Sequence, residues 1–152
     1  MVGDGPERAR LEAMISRLGL RDSVRLTGAI SRPQVITELR QAQVFALPVG
    51  TRLGGLNPEG LGLATLEAAA CGLPVIVGDS GGAPETVRDG ETGFVVPAGD
   101  YRALADRICG LFADPAGARA MGARGRAYVS ARFGADQASD TLRRALQLSP
   151  SA

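Results

Sequence analysis

The chain has 152 residues, one domain's worth, enough to bury about 70% of the unfolded surface in a single core. Seventeen basic and 16 acidic residues leave a formal charge of +1, and every basic residue is Arg, so no strong field points to nucleic acid or to an anionic membrane. With no His and only two Cys, Ser-His and Cys-His nucleophile systems are excluded, and the sequence offers no zinc set.

Met1-Val2-Gly3-Asp4-Gly5-Pro6 reads as the tail of a strand entering a loop. Pro6 suits the first turn of a helix running to about Leu18, with Leu11, Met14, Ile15 and Leu18 on one face and Gly19 as its stop. Val24-Arg25-Leu26-Thr27 alternates as a strand does. Ser31 is placed to cap a helix with Pro33 in its first turn and Val35, Ile36 and Leu39 as its apolar stripe. Val44-Phe45-Ala46-Leu47 is a continuous apolar run, the mark of a strand buried on both faces. A Gly/Pro-rich loop from Pro48 to Glu59 leads to an Ala-rich helix over about 60–70, stopped by Gly72. Pro74-Val75-Ile76-Val77 and Phe94-Val95-Val96 are the remaining strands, and helices are expected over about 101–113, 115–130 and 135–148. Strands alternating with helices predict an α/β domain, a doubly wound parallel sheet of Rossmann-like type. Cys71 and Cys109, without a C-x-x-C spacing, read as two buried free thiols in a reducing compartment rather than a disulfide. No apolar run approaches the ~20 residues of a membrane span, and no secretory signal opens the chain.

In such sheets ligands sit beyond the carboxyl ends of the strands, which singles out the loops 3–6, 28–32, 48–60 and 78–84. The run Gly54-Gly55-Leu56-Asn57-Pro58-Glu59-Gly60-Leu61-Gly62-Leu63-Ala64-Thr65-Leu66-Glu67 is the most informative. A glycine-rich loop enters a helix N-terminus, where free amides and the positive dipole end favour a phosphate. Glu59 and Glu67 stand eight residues apart, about 12 Å along the axis if helical throughout, and within ~80° of one another. That is too wide for a shared-proton pair but suits one extended ligand with a hydroxyl group held at each end. Each carboxylate alone fits a dipole partner or a solvated charge; the glycines between them favour the ligand. Gly3-Asp4-Gly5 lacks the third glycine of G-x-G-x-x-G, Arg8 standing in its place, so a tight turn competes equally with a ligand role. Asp79-Ser80-Gly81-Gly82-Ala83-Pro84-Glu85 adds either backbone amides to an anion site or only a turn with a structural Glu85. Asp89-Gly90-Glu91-Thr92-Gly93 reads as turn chemistry, and Arg119, Arg124, Arg126 and Arg132 as a solvated face.

Taken in order, Gly3-Asp4-Gly5-Pro6, Val24-x-Leu26-x-Gly28-x-Ile30, Glu59-x7-Glu67-Ala68 with Gly72-x-Pro74-Val75, Gly81-Gly82-x-x-Glu85, and Asp89-Gly90-x-x-Gly93-Phe94-Val95-Val96 carry a resemblance over essentially the whole chain. It resembles the C-terminal nucleotide-sugar-binding domain of a retaining family 4 glycosyltransferase with the GT-B fold. Thr51-Arg52-Leu53-Gly54-Gly55-Leu56 and Gly60-Leu61-Gly62 are most similar to the GDP-mannose-dependent mannosyltransferases that extend phosphatidylinositol mannosides.

The resemblance implies that Glu59 holds hydroxyls of the transferred sugar at the catalytic centre and Glu67 the ribose hydroxyls. It places backbone at Gly60, Leu61, Gly62, Leu63 and Ala64 on the sugar and diphosphate, Ile30 and Arg32 at the base edge, and Gly3 among the donor-binding residues. It implies no metal and no cofactor beyond the nucleotide-sugar donor, and a cytoplasmic location, at the inner face of the plasma membrane in the intact enzyme. Residues 1–152 are then one nucleotide-sugar-binding domain, read as a fragment without its first strand, the diphosphate-neutralising Arg and Lys, and the N-terminal acceptor domain; membrane contact would belong to that other half. Such a fragment is expected to bind donor weakly and transfer nothing. Two alternatives stay open: a sugar-nucleotide epimerase of the same architecture, for which the missing His is unfavourable, and a non-catalytic binding module.

Overall fold

A computed structural model describes residues 1–50, 60, 62–134 and 137. They fall into two compact units, Met1–Gln41 and Ala42 onward.

The first unit holds α1 (Arg8–Arg17) and α2 (Arg32–Gln41). Gly19, at φ +67°, ends α1, with the Leu20 amide returning to the Ile15 carbonyl at 2.9 Å, a turn only glycine enters without strain. Ser31 and Gln34 form the reciprocal half of a capping box at α2: the Gln34 carboxamide oxygen accepts from the Ser31 amide at 2.9 Å and from its hydroxyl at 2.8 Å. The strand expected at Val24–Thr27 is not formed. Its backbone bonds to Met1–Gly3 are few: Thr27 N–H to the Met1 carbonyl and, one residue on, Gly3 N–H to the Gly28 carbonyl, both 3.0 Å. A single antiparallel bridge, Gly3 to Gly28, results, because both bridging glycines, at φ +128° and +72°, leave the extended conformation that a ladder needs.

The second unit contains β1 (Phe45–Leu47), α3 (Leu63–Ala70), β2 (Val75–Gly78), a 3-10 turn (Ala83–Thr86), β3 (Gly93–Val96), α4 (Tyr101–Ala113) and α5 (Pro115–Phe133). The strands form a parallel sheet in the order β1-β2-β3, with Ala46, Ile76 and Phe94 in register. All four residues of β2 are buried, so both faces of the central strand are covered, as a doubly wound α/β sheet requires. β1, an edge of this sheet, differs from expectation: Ala46 is exposed and its neighbours half-buried, so the face that Ala46 presents is not covered as those of β2 are. Ile76 packs with Val96, Leu111, Ala118 and Met121, which bind α4 and α5 to the sheet. Asp100 and Asp114 cap α4 and α5, each accepting from the amide three residues on at 2.9 Å.

Both cysteines are free, as expected, but neither is buried: Cys71 is half-buried at the end of α3 and Cys109 is exposed on α4. Arg119, Arg124, Arg126 and Arg132 are exposed along α5. The helix expected at 135–148 lies outside the described residues apart from Gln137.

Candidate functional site: the N-terminal end of α3

The β1-to-α3 and β2-to-β3 connections meet at the start of α3. Gly62 caps the helix at φ +71°, ψ +51°, a left-handed conformation that costs any other residue about 1 kcal/mol or more. Its carbonyl accepts from Thr65 N–H at 2.8 Å and from Leu66 N–H at 3.2 Å. The amides of Leu63 and Ala64 are first-turn donors with no intrahelical acceptor. A Cβ on Gly62 would stand 3.4 Å from Thr65 Oγ1 and 3.8 Å from Ala83 Cα, so the helix start is packed against the loop after β2. That loop is also bonded to it: Gly82 N–H donates to the Gly60 carbonyl at 3.0 Å. The Gly82 amide is therefore occupied, which favours the turn reading of Gly81-Gly82 at that position.

Glu67 is half-buried in the second turn of α3, about 6 Å along the axis from the first helical residue. Because the helix begins at Leu63 rather than Gly60, the 12 Å helical arithmetic from Glu59 does not apply; the left-handed Gly62 redirects the chain. Glu59 and Leu61 lie outside the described residues. The structure thus brings Gly60 and Gly62 against the 79–83 loop at the start of α3, with Leu63 and Ala64 in its first turn and Glu67 one turn further on. Gly3, Ile30 and Arg32 belong to the first unit. There, the Gly3 amide is spent on the Gly28 carbonyl, Ile30 is half-buried and Arg32 opens α2. Among the described residues, no cluster of three His, Cys, Asp or Glu side chains forms.

Two features escaped the sequence. Thr65 is completely buried, and its hydroxyl has no hydrogen-bond partner among the described residues; the pattern showed only a helical position. Tyr128 of α5 donates its hydroxyl to the Glu85 carbonyl at 3.1 Å, a pairing 43 residues apart that no local signal encodes. The segment 89–93 is the turn expected: Gly90 has φ +76°, and the Asp89 carboxylate accepts from Val95 N–H at 2.9 Å.

The arrangement is that of a doubly wound α/β domain, in which ligands sit beyond the carboxyl ends of the strands. The family model "Glycosyl transferases group 1" matches residues 1–128, and the chain belongs to that family. It is 48% identical over 129 residues to a GDP-mannose-dependent alpha-(1-6)-phosphatidylinositol monomannoside mannosyltransferase of Mycolicibacterium smegmatis, covering 85% of this chain and 34% of the relative. It is 42% identical over 152 residues to the corresponding enzyme for the monoacylated substrate from Corynebacterium glutamicum, covering 99% and 39%. The chain therefore spans little more than a third of the length of these curated relatives. Among solved structures, Anabaena HepE in complex with UDP and glucose matches with a TM-score of 0.83 at 27% identity, covering 96% of this chain and 39% of that one. Sucrose-phosphate synthase from Thermosynechococcus elongatus matches with a TM-score of 0.78 at 34% identity, covering 96% and 38%. The fold is that of a GT-B glycosyltransferase domain.

Proposed function

We propose that this chain is the donor-binding domain of a retaining hexosyltransferase that takes mannose from GDP-mannose, with the diphosphate seated on the N-terminal end of α3. The observation that supports this most is the left-handed Gly62, which opens the helix without a side chain and leaves the Leu63 and Ala64 amides for phosphate oxygens. The printed names of the mannosyltransferase relatives support the choice of sugar and base. They also support a phosphatidylinositol mannoside acceptor; work at the cytoplasmic face of a membrane is part of the same proposal. Among the described residues, no helix is long and apolar enough to cross one.

In this reading the bond from the sugar's anomeric carbon to the β-phosphate breaks, and the helix N-terminus stabilises the charge growing on the departing diphosphate. The acceptor oxygen forms its bond on the same face of the sugar, and its proton passes to the leaving phosphate, so no enzyme nucleophile is required. Glu59 holds the transferred sugar and Glu67 the ribose. The acceptor is held by residues outside this chain, so the 152 residues alone turn over no donor.

The two carboxylates separate in a calorimetric titration of the intact enzyme. Glu67→Gln weakens GDP and GDP-mannose alike, about tenfold or more, the usual cost of a charged hydrogen bond. Glu59→Gln leaves GDP nearly unchanged and weakens GDP-mannose. Equal weakening of both ligands by Glu59→Gln would reverse the assignment, and no change in either variant would move the donor elsewhere.

A further inference from the structure

The loop after β2 is held at both ends of its 3-10 turn, and a continuous chain of bonds connects them. At the near end, Gly82 N–H holds the Gly60 carbonyl at 3.0 Å, and the Gly82 carbonyl accepts from Glu85 N–H at 3.1 Å. At the far end, the Glu85 carbonyl accepts the Tyr128 hydroxyl at 3.1 Å. The Arg88 guanidinium stacks on the Tyr128 ring, 5.0 Å from its centroid. Arg132, one turn along α5, lies 5.9 Å from the same ring, so Tyr128 is itself fixed. Inside the turn, Thr86 Oγ1 donates to the Ala83 carbonyl at 2.6 Å, and Ala83 and Thr86 are buried. The turn therefore behaves as a short rigid piece. Holding the Gly60 carbonyl orients the peptide plane that leads into α3, where amide directions decide how a phosphate is met.

We propose that Tyr128 is a positioning residue for the donor-binding end of α3, acting through the Glu85 and Gly82 peptides on the Gly60 carbonyl. It touches no reacting atom. The proposal rests on the donor reading of that helix end. It adds that the geometry of the α3 mouth is set from α5, by a phenol hydroxyl and the cation–π contact beside it.

The test uses the 152-residue chain and three variants. Tyr128→Phe keeps the ring under Arg88 and removes only the hydroxyl. Tyr128→Leu removes both contacts. Arg88→Gln, at an exposed residue, removes the cation over the ring and with it the 3.8 Å ion pair to Glu91. Amide exchange at Gly82 and the dissociation constants of GDP and GDP-mannose, by NMR titration, are read in each. In Tyr128→Phe, Gly82 exchange accelerates and both constants rise, each by about fivefold, the equivalent of one neutral hydrogen bond. Tyr128→Leu gives a larger effect and Arg88→Gln a smaller one in the same direction. Exchange in β2 stays unchanged, and the thermal midpoint of Tyr128→Phe falls by no more than about 4 °C. A general loosening that accelerates β2 together with Gly82 overturns the positioning role in favour of a merely structural one. Unchanged Gly82 exchange, or faster exchange with unaltered affinities, overturns it too. A wild-type chain that binds neither ligand overturns the donor reading, and this role with it; wild-type binding with silent variants overturns this role alone.

Discussion

In the second unit every residue of β2 is buried and Ile76 is completely enclosed, whereas α1 of the first unit buries none of its ten residues. The first unit draws instead on exposed ion pairs: Arg8–Glu12 at 2.9 Å, Arg10–Glu7 at 2.7 Å and Arg25–Glu38 at 2.6 Å. Such pairs contribute about 0–1 kcal/mol each, against about 1.5–3 kcal/mol for one enclosed aliphatic side chain. The difference teaches where the site's rigidity comes from. The end of α3 belongs to the unit whose strands and helices share a buried core, so its amides are held by packing and not by surface charge.

The largest effect expected from this contrast is at Ile76. Ile76→Ala removes packing against Val96, Leu111 and Met121 and lowers stability by about 2–5 kcal/mol. Leu18→Ala, in a residue 57% exposed at the end of α1, changes it by about 0.5 kcal/mol or less. Urea denaturation of both variants measures the gap, and equal losses would break the comparison.

Gly122 gives the next effect. A Cβ there would run into the carbonyl oxygen of Gly72 in the turn between α3 and β2. Alanine would gain about 1 kcal/mol of helix propensity, yet Gly122→Ala is expected to cost a net 1–3 kcal/mol or so through overpacking against backbone. Thermal unfolding checks the sign; a stabilised variant would mean that α5 does not approach that turn.

Thr65 sharpens the contrast from the opposite side. Its enclosed hydroxyl has no partner among the described residues, and a buried unsatisfied group costs roughly 1–3 kcal/mol. Replacement by the isosteric Val is expected to stabilise the chain by roughly 1 kcal/mol, read from the urea midpoint. A loss of stability would show that the hydroxyl is engaged after all.

The two units were also unequally legible from sequence. The limits expected for α4 coincide with those observed, because Asp100 and Asp114 bracket a strong amphipathic pattern. β2 was expected within one residue, from an apolar run that only a covered strand explains. The Val24–Thr27 alternation was equally clear but failed as a strand, since alternation states a preference for pairing, while the two residues that bridge, Gly3 and Gly28, both leave the extended conformation. At the site, the glycine-rich entry into a helix N-terminus was legible, while the left-handed conformation of Gly62 was not. The helix starts three residues later than expected, at Leu63 instead of Gly60, because glycine at 60 and 62 marks a loop and a cap as readily as a first turn. Thr65 and Tyr128 were illegible, since an orphaned hydroxyl and a contact across 43 residues exist only once the chain has folded.

Seating of a nucleotide sugar at the N-terminal end of α3 is tested most directly by titrating the isotopically labelled chain with GDP-mannose and following every backbone amide by NMR. The expected result is a saturable shift of Gly60, Gly62, Leu63, Ala64 and Gly82. The cavity of about 370 Å³ between α4 and α5, lined by Asp106, Gly110 and Gly117 among others, would stay silent. So would the one of about 410 Å³ in the first unit, beside Arg8, Glu12 and Arg21. Saturable shifts at either cavity, with Gly62, Leu63 and Ala64 unmoved, would contradict the assignment.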